Sequence, residues 1–147
     1  MSTPISVLLE RKGSVVRAVA PGFTIAEAVA EMNGHRIGCV LVMDGPKLVG
    51  IFTERDVLQR VVGAGLDSQR SHVADVMSPD PITITPATTV DEVMSLFTDR
   101  RCRHLPVVEF GRVVGLISIG DVTRWMVEEH RAEAEHLKNY ISGGFSA

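Results

Sequence analysis

The stretch GIFTERDV at residues 50–57 returns 65 positions further along the chain as GLISIGDV at residues 115–122. Sliding residues 19–57 onto residues 84–122 without a gap matches nine of 39 positions identically. Ordinary residue frequencies would match only about two or three positions by chance. We conclude that the chain contains an internal duplication, and we expect the two copies to fold alike.

Each copy carries the same order of strand and helix signals. An alternating β-branched run before a proline predicts a strand, and a threonine before apolar residues at helical spacing predicts a capped helix. Two short apolar runs joined by a turn then predict a hairpin, and a second hydroxyl residue predicts a closing helix. The predicted features are strands 15–19, 39–43 and 48–52 with helices from Thr24 and Thr53, then strands 82–85, 105–108 and 113–117 with helices from Thr89 and Ser118.

This order, β-α-β-β-α in duplicate, predicts an α/β fold with α+β character, built from two repeats packed as a pseudo-twofold pair. One copy of about 55 residues cannot cover both faces of its sheet, whereas two packed copies can. We expect the first repeat at residues 7–63, a linker at 64–72, the second repeat at 73–130, and a C-terminal helical extension and tail at 131–147.

The C-terminal extension is predicted to be a long helix from Asp121 to Tyr140 that stops at Ser142-Gly143-Gly144. An exposed Trp125 on this helix would suggest contact with a second copy of the chain. The candidate contact residues are Trp125, Met126, Leu137 and Ile141.

The composition is that of a globular domain, with 45% apolar and 22% charged residues and a net charge of −3. This charge argues against binding to nucleic acid or to an anionic membrane through bulk electrostatics. No run approaches the roughly 18 apolar residues of a membrane span, and the N-terminus lacks a signal-peptide pattern. Cys39 and Cys102 are far apart in the sequence and form no CxxC pattern, so we expect two reduced thiols. We expect a cytoplasmic protein.

Four motifs together resemble a tandem pair of CBS domains, the regulatory modules first recognised in cystathionine β-synthase. They are GIFTERD at 50–56, VADVM at 73–77, RHLPVV at 103–108 and GLISIGD at 115–121. The resemblance extends from about residue 7 to residue 130. It implies a stand-alone regulatory protein, used in energy sensing or signal transduction, that binds AMP, ADP or ATP between its repeats, with S-adenosylmethionine as an alternative ligand and no required cofactor.

The duplicated closing motif suits such a ligand. Asp56 and Asp121 each follow a hydroxyl residue, Thr53 or Ser118, by three positions at a helix start. A carboxylate can accept hydrogen bonds from both ribose hydroxyls, while the hydroxyl and the free N–H groups of the helix start can meet phosphate oxygens. The same spacing is also a capping box, which stabilises any helix start. We expect a ligand role alongside capping, because the motif is duplicated and because the family uses these positions for ligand.

The resemblance implies two clefts of unequal quality. The first would join Thr53, Arg55 and Asp56 to Thr83, Thr85, Cys102, Arg103 and His104. The second would join Ala20, Ile37, Gly38 and Cys39 to Ser118 and Asp121. Ala20 replaces a threonine there, and no arginine stands at the positions equivalent to Arg55 and Arg103. We therefore expect the second cleft to be empty, weaker, or suited to a nucleoside with little charge.

Other chemistries find little support. The five histidines are scattered, no nucleophile elbow is present, and nothing pairs a general acid with a base, so we expect no metal site, no catalytic residue and no enzymatic activity. The basic run at residues 100–104 lacks the aromatic platform of single-stranded nucleic-acid binders, and Arg100 and Arg101 fit a solvated strand edge equally well. We expect a homodimer with an unidentified effector protein; the alternative is a structural dimerisation scaffold with no ligand response.

Overall fold

The computed structural model of the chain describes residues 2–13 and 15–145. Helices and short strands alternate along it, which confirms the predicted α/β class. The elements in chain order are α1 (Ile5–Lys12), β1 (Ala18–Val19), α2 (Ile25–His35), β2 (Cys39–Asp44), β3 (Lys47–Thr53), α3 (Glu54–Asp56), α4 (Val73–Val76), β4 (Ser78–Pro79), α5 (Val90–Arg100), β5 (His104–Glu109), β6 (Arg112–Ser118) and α6 (Ile119–Phe145). After α3 the chain continues as a π-helical segment, Val57–Val62.

The predicted helix caps are confirmed in both copies. Thr24 Oγ1 accepts the backbone N–H of Glu27 at 3.1 Å, and Thr89 Oγ1 accepts that of Glu92 at 3.2 Å. In each case the glutamate side chain accepts the backbone N–H of the threonine, which completes a capping box. These bonds satisfy donors that the first helical turn would otherwise leave unpaired.

The two hairpins pair in the same register, as a duplication requires. β2 lies antiparallel to β3 with Cys39 opposite Thr53, and β5 lies antiparallel to β6 with His104 opposite Ser118. Each hairpin also has a register irregularity at the equivalent place. Thr53 and Ser118 therefore end their strands at equivalent points, where the closing helices begin.

The first strand of each copy is shorter than predicted. Only Ala18–Val19 pairs in the first copy, in parallel with β2, and a single bridge joins Ile84 to Val107 in the second. The backbone N–H of Thr85 does not extend the ladder, because it donates to Thr88 Oγ1 at 3.0 Å. The predicted strands are right in position and too long.

The helix that precedes each copy in the chain packs on the core of the other copy. Ile5 of α1 is buried in the core of the second copy, and Val73 of α4 is buried in the core of the first. The anchoring bonds are equivalent, since Ile5 N donates to Thr88 O at 2.8 Å and Val73 N donates to Phe23 O at 2.9 Å. This arrangement ties the two copies together at both ends.

The duplicated glycine of each copy makes room for the docked helix. A Cβ at Gly115 would lie 2.6 Å from Leu9 Cδ2, which follows from the close approach of α1. A Cβ at Gly50 would overlap Met77 Sδ and lie 3.0 Å from Ser78 O. A glycine is needed at such positions because another part of the chain comes too close for a side chain.

The C-terminal helix is longer than predicted. α6 continues through Gly143 and Gly144 to Phe145, so the predicted stop is wrong. A glycine costs a helix about 1 kcal/mol relative to alanine, but it ends the helix only where it turns left-handed. Within residues 2–13 and 15–145, no helix is both long and apolar enough to cross a membrane.

The prediction that Trp125 is exposed on α6 is also wrong. Its side chain is buried in the core of the second copy, and the partly buried Met126 packs against the same core. These two residues therefore face their own chain rather than a second copy. The side chains of Leu137 and Ile141 lie outside the described residues.

Candidate functional site

A cavity of about 600 Å³ lies between the two copies. The start of the closing helix of the first copy forms one wall, and the segment Arg100–Leu105 together with Ser118–Gly120 of the second copy forms the other. Asp80, Pro81 and Ile82, which follow β4, close it at one end. Its volume is within the range of small-molecule sites.

Most of the residues predicted for the first cleft meet in this cavity. Its lining includes Thr53, Arg55, Asp56, Cys102, Arg103 and His104. Thr83 and Thr85 do not line it, and Ile82 takes the place at the wall instead. We expected these two threonines to bind ligand because of the family resemblance. In the structure the first strand of the second copy is shorter than predicted, and its threonines lie outside the cavity lining.

The residues predicted for the second cleft are not brought together in the same way. Gly38 and Ser118 line the cavity, but Ala20, Ile37, Cys39 and Asp121 do not. Cys39 is buried within β2, and Asp121 is paired with Lys12 of α1. Two of the six residues predicted for the second cleft therefore line the cavity, against six of the eight predicted for the first.

Asp56 caps the helix at the cavity wall while one of its oxygens keeps spare capacity. Asp56 Oδ2 accepts the backbone N–H of Thr53 at 2.9 Å and its hydroxyl at 3.2 Å, and Thr53 Oγ1 accepts Asp56 N at 3.3 Å. Asp56 Oδ1 lies 3.7 Å from Arg60 Nε, which is beyond ordinary hydrogen-bond length. The side chain is only 9% exposed, and Oδ1 is the oxygen that the bonds from Thr53 leave uncommitted.

Asp121 makes the same cap and is then occupied by a lysine. Asp121 Oδ2 accepts Ser118 N at 2.8 Å and Lys12 Nζ at 2.6 Å. Lys12 Nζ also donates to Leu116 O at 2.6 Å. Burial alone would raise the pKa of Asp121, but the hydrogen bonds from Lys12 and Ser118 outweigh it and leave this pKa below its usual value. The two duplicated carboxylates thus differ in their partners.

The cavity is electropositive although the whole chain is acidic. Five arginines line it against three carboxylates, and they are Arg55, Arg60, Arg100, Arg101 and Arg103, with Glu54, Asp56 and Asp80. Arg100 and Arg101, which the sequence allowed as a solvated strand edge, stand exposed at the rim. Arginine side chains are suited to phosphate oxygens because their N–H groups match two acceptors at once.

His104 adds a neutral group to this wall. Burial lowers its pKa, and the positive charges of Lys12 and Arg103 lower it further, against an opposing effect of Asp121 and Glu54. The imidazole is therefore uncharged at neutral pH and can both donate and accept a hydrogen bond.

Arg60 and Gln59 were not predicted, yet both line the cavity. Arg60 lies four positions after Asp56, which places it on the same helical face. That spacing is the sequence signal that could have revealed Arg60. For Gln59, Pro81 and Ile82 the sequence carries no comparable signal.

Two thiols differ in their surroundings. Burial raises the pKa of Cys39 to about 12, and it also raises the pKa of the half-buried Cys102.

Among the described residues, no group of three or more His, Cys, Asp or Glu side chains could hold a metal ion.

Comparison with known proteins gives consistent matches over most of the chain. A family model described as CBS domain matches residues 13–63 and again residues 73–128. A mitochondrial CBS domain-containing protein of Arabidopsis thaliana is 38% identical over 153 residues, covering 98% of this chain and 74% of the relative.

Solved structures resemble this fold closely. A CBS-domain containing protein from Agrobacterium tumefaciens is 40% identical, with a TM-score of 0.81 over 84% of this chain and 99% of that chain. A CBS domain protein from Pyrobaculum aerophilum, complexed with AMP, is 26% identical, with a TM-score of 0.72 over 80% of this chain and 88% of that chain.

Proposed function

This chain belongs to the CBS-domain family, whose paired domains are regulatory modules, and we propose that it binds an adenine nucleotide in the cavity between its two repeats. The observation that carries the proposal is the position of the Thr53–Asp56 capping box directly across that cavity from the segment Arg100–His104. The bound nucleotide would signal through a change in conformation or assembly, which a separate effector protein reads.

The lining offers a partner for each part of a nucleotide. Asp56 Oδ1 would accept the ribose hydroxyls, because Oδ2 is already committed to Thr53. Arg55 and Arg103, which approach from opposite walls, would bind phosphate oxygens. The exposed apolar side chains in the lining, Ile82 and Ile119, would contact the base. The AMP complex of the Pyrobaculum aerophilum relative supports this class of ligand.

The competing proposal is a structural dimerisation scaffold that does not respond to ligand. Thermal unfolding in the presence of AMP, ATP or S-adenosylmethionine separates the two. A ligand present at 100 times its dissociation constant adds about 2.7 kcal/mol to the free energy of unfolding. We expect at least one nucleotide to produce this gain, with guanosine monophosphate as the control; no response to any member of the panel would support the scaffold.

A passive sensor leaves its ligand unchanged. Stand-alone proteins of this family are generally regulatory rather than catalytic. Incubation of the protein with ATP, followed by chromatography of the nucleotides, should return ATP alone. Accumulation of ADP, AMP or another product in proportion to protein would make the chain an enzyme.

Cysteine alkylation tests where the nucleotide lies. Cys102 lines the cavity and Cys39 does not, and the pKa values of both thiols are raised, so at pH 8 each holds less thiolate than a free cysteine. We expect ATP at ten times its dissociation constant to slow the reaction of Cys102 with iodoacetamide about tenfold, because only the unliganded fraction reacts. Mass spectrometry of the modified peptides follows each cysteine. An unchanged rate at Cys102 under saturating ATP would place the ligand elsewhere.

Assembly and location remain predictions. Apolar side chains suited to a homodimer contact are exposed on the closing helices of both copies: Leu58, Val62 and Val127.

The expected cytoplasmic location is not supported by the Arabidopsis thaliana relative, whose name places it in mitochondria.

A further inference from the structure

The two copies of the closing motif obtain their cation from different places. Arg60 follows Asp56 by one helical turn, but the equivalent position after Asp121 is Trp125. An indole carries no charge, and within the described residues Trp125 Nε1 has no hydrogen-bond partner. The cation beside Asp121 comes instead from α1, through Lys12, at 2.6 Å rather than the 3.7 Å that separates Arg60 from Asp56.

Lys12 is held in this position by the whole of α1. Ile5 and Leu8 anchor the helix in the core of the second copy. Arg11, the residue before Lys12, lies 3.6 Å from Glu128 and 3.4 Å from Glu129 of α6. The ammonium of Lys12 is therefore presented to Asp121 by a docked helix and is not a freely moving surface group.

The two aspartates also differ in whether they line the cavity between the copies. Asp56 contributes to its lining and Asp121 does not, although Ser118, whose backbone N–H donates to Asp121, does. At the second cleft the cavity therefore reaches Ser118 and Gly38 but stops short of the Asp121 carboxylate. A pair of ribose hydroxyls that engaged both oxygens of Asp121 would compete with an ammonium that already donates to Oδ2 and to Leu116 O.

We propose that the Lys12 side chain occupies the second cleft at the position where a nucleoside would contact Asp121, here called the second nucleoside position. The chain then binds one nucleotide for each pair of repeats. The proposal rests on the function proposed above. With Lys12 removed or α1 displaced, the second position takes an uncharged nucleoside such as adenosine rather than a nucleotide. Its wall has Gly38 and Gly120 where the first position has Arg103 and Arg55, so it offers little to a phosphate.

Equilibrium dialysis with radiolabelled adenosine tests the proposal on the full chain. We expect the wild-type protein to bind one adenosine at saturation and Lys12→Met, which keeps the aliphatic stem, to bind two. Lys47→Met is the matched control, because it makes the same substitution at an exposed lysine outside α1, and it should bind one. Lys12→Ala is a second variant for the case that the methionine side chain itself fills the cleft.

The double variant Lys12→Met/Asp121→Ala tests whether the additional adenosine binds at Asp121. It should bind one adenosine again, since the new position depends on Asp121. Two adenosines on the wild-type protein, or one on both folded Lys12 variants, would overturn the proposal. Failure of the proposed function gives a different result, in which the wild-type protein binds neither adenosine nor ATP. In that case, one adenosine bound to Lys12→Met alone would still support occlusion of the second cleft by Lys12. No adenosine bound to Lys12→Met would overturn the occlusion as well.

Discussion

Asp56→Ala is expected to weaken nucleotide binding by about 10- to 100-fold, while Asp121→Ala leaves it nearly unchanged. A hydrogen bond to a charged group contributes about 1.5–3 kcal/mol, which corresponds to this range of affinity. Asp56 lines the cavity, whereas Asp121 is already occupied by Lys12. Isothermal titration of both variants with ATP measures the difference.

The duplication supplies the control for this experiment. Each aspartate accepts the backbone N–H of its own cap residue, Thr53 or Ser118, so both alanine variants lose half of a capping box, and Asp121→Ala also loses the ion pair with Lys12. A loss of stability at least as large in Asp121→Ala, with a loss of affinity in Asp56→Ala alone, would separate ligand binding from capping. Asp56→Asn adds a second control, because its amide oxygen can keep the cap while the charge is lost. Equal losses of affinity in the two alanine variants, or none in either, would contradict the assignment of the site.

Phe52→Ala is expected to lower the free energy of unfolding by about 3–5 kcal/mol, the usual cost of truncating a buried phenylalanine. Phe52 is fully buried in the core of the first copy, and it directly precedes Thr53 at the cavity wall. Whole domains are stable by only about 5–15 kcal/mol, so this loss removes much of the margin. Urea denaturation followed by circular dichroism gives the value.

Phe110→Ala is the matched control for the core variant. Phe110 lies at the turn between β5 and β6 and is 96% exposed, so the same substitution there should change stability by no more than about 0.5 kcal/mol. A loss at Phe52 as small as that at Phe110 would mean that β3 is not anchored in the core, and the position of Thr53 would then lose its structural basis.

The sequence was informative wherever a feature depends on neighbouring residues. The caps at Thr24, Thr89 and Thr53 are formed by side chains three positions apart, and all three are present as predicted. The duplication added information of a longer range, because it required the two hairpins to share one register. Six of the eight residues that the family resemblance assigned to the first cleft line the cavity.

Features that depend on distant packing were not predictable in this way. Lys12 meets Asp121 across more than 100 positions of the chain, and nothing in either local pattern indicates the contact. Trp125 has the helical spacing of an exposed extension, and only the docking of α1 and the second core explains its burial. Thr83 and Thr85 were assigned by family pattern, but the backbone of Thr85 turns to Thr88 and the strand ends early. The positions of Lys12 and Trp125 thus depend on contacts between elements that the sequence could not place relative to one another.

Hydrogen–deuterium exchange of the wild-type protein, with and without saturating ATP, tests the central claim most directly. We expect slower amide exchange in the peptides that cover residues 53–60 and 100–105, on opposite walls of the cavity, and little change in residues 90–97 of α5, which do not line it. Unchanged exchange in both wall peptides at saturating ATP, or protection confined to another surface, would contradict binding between the repeats.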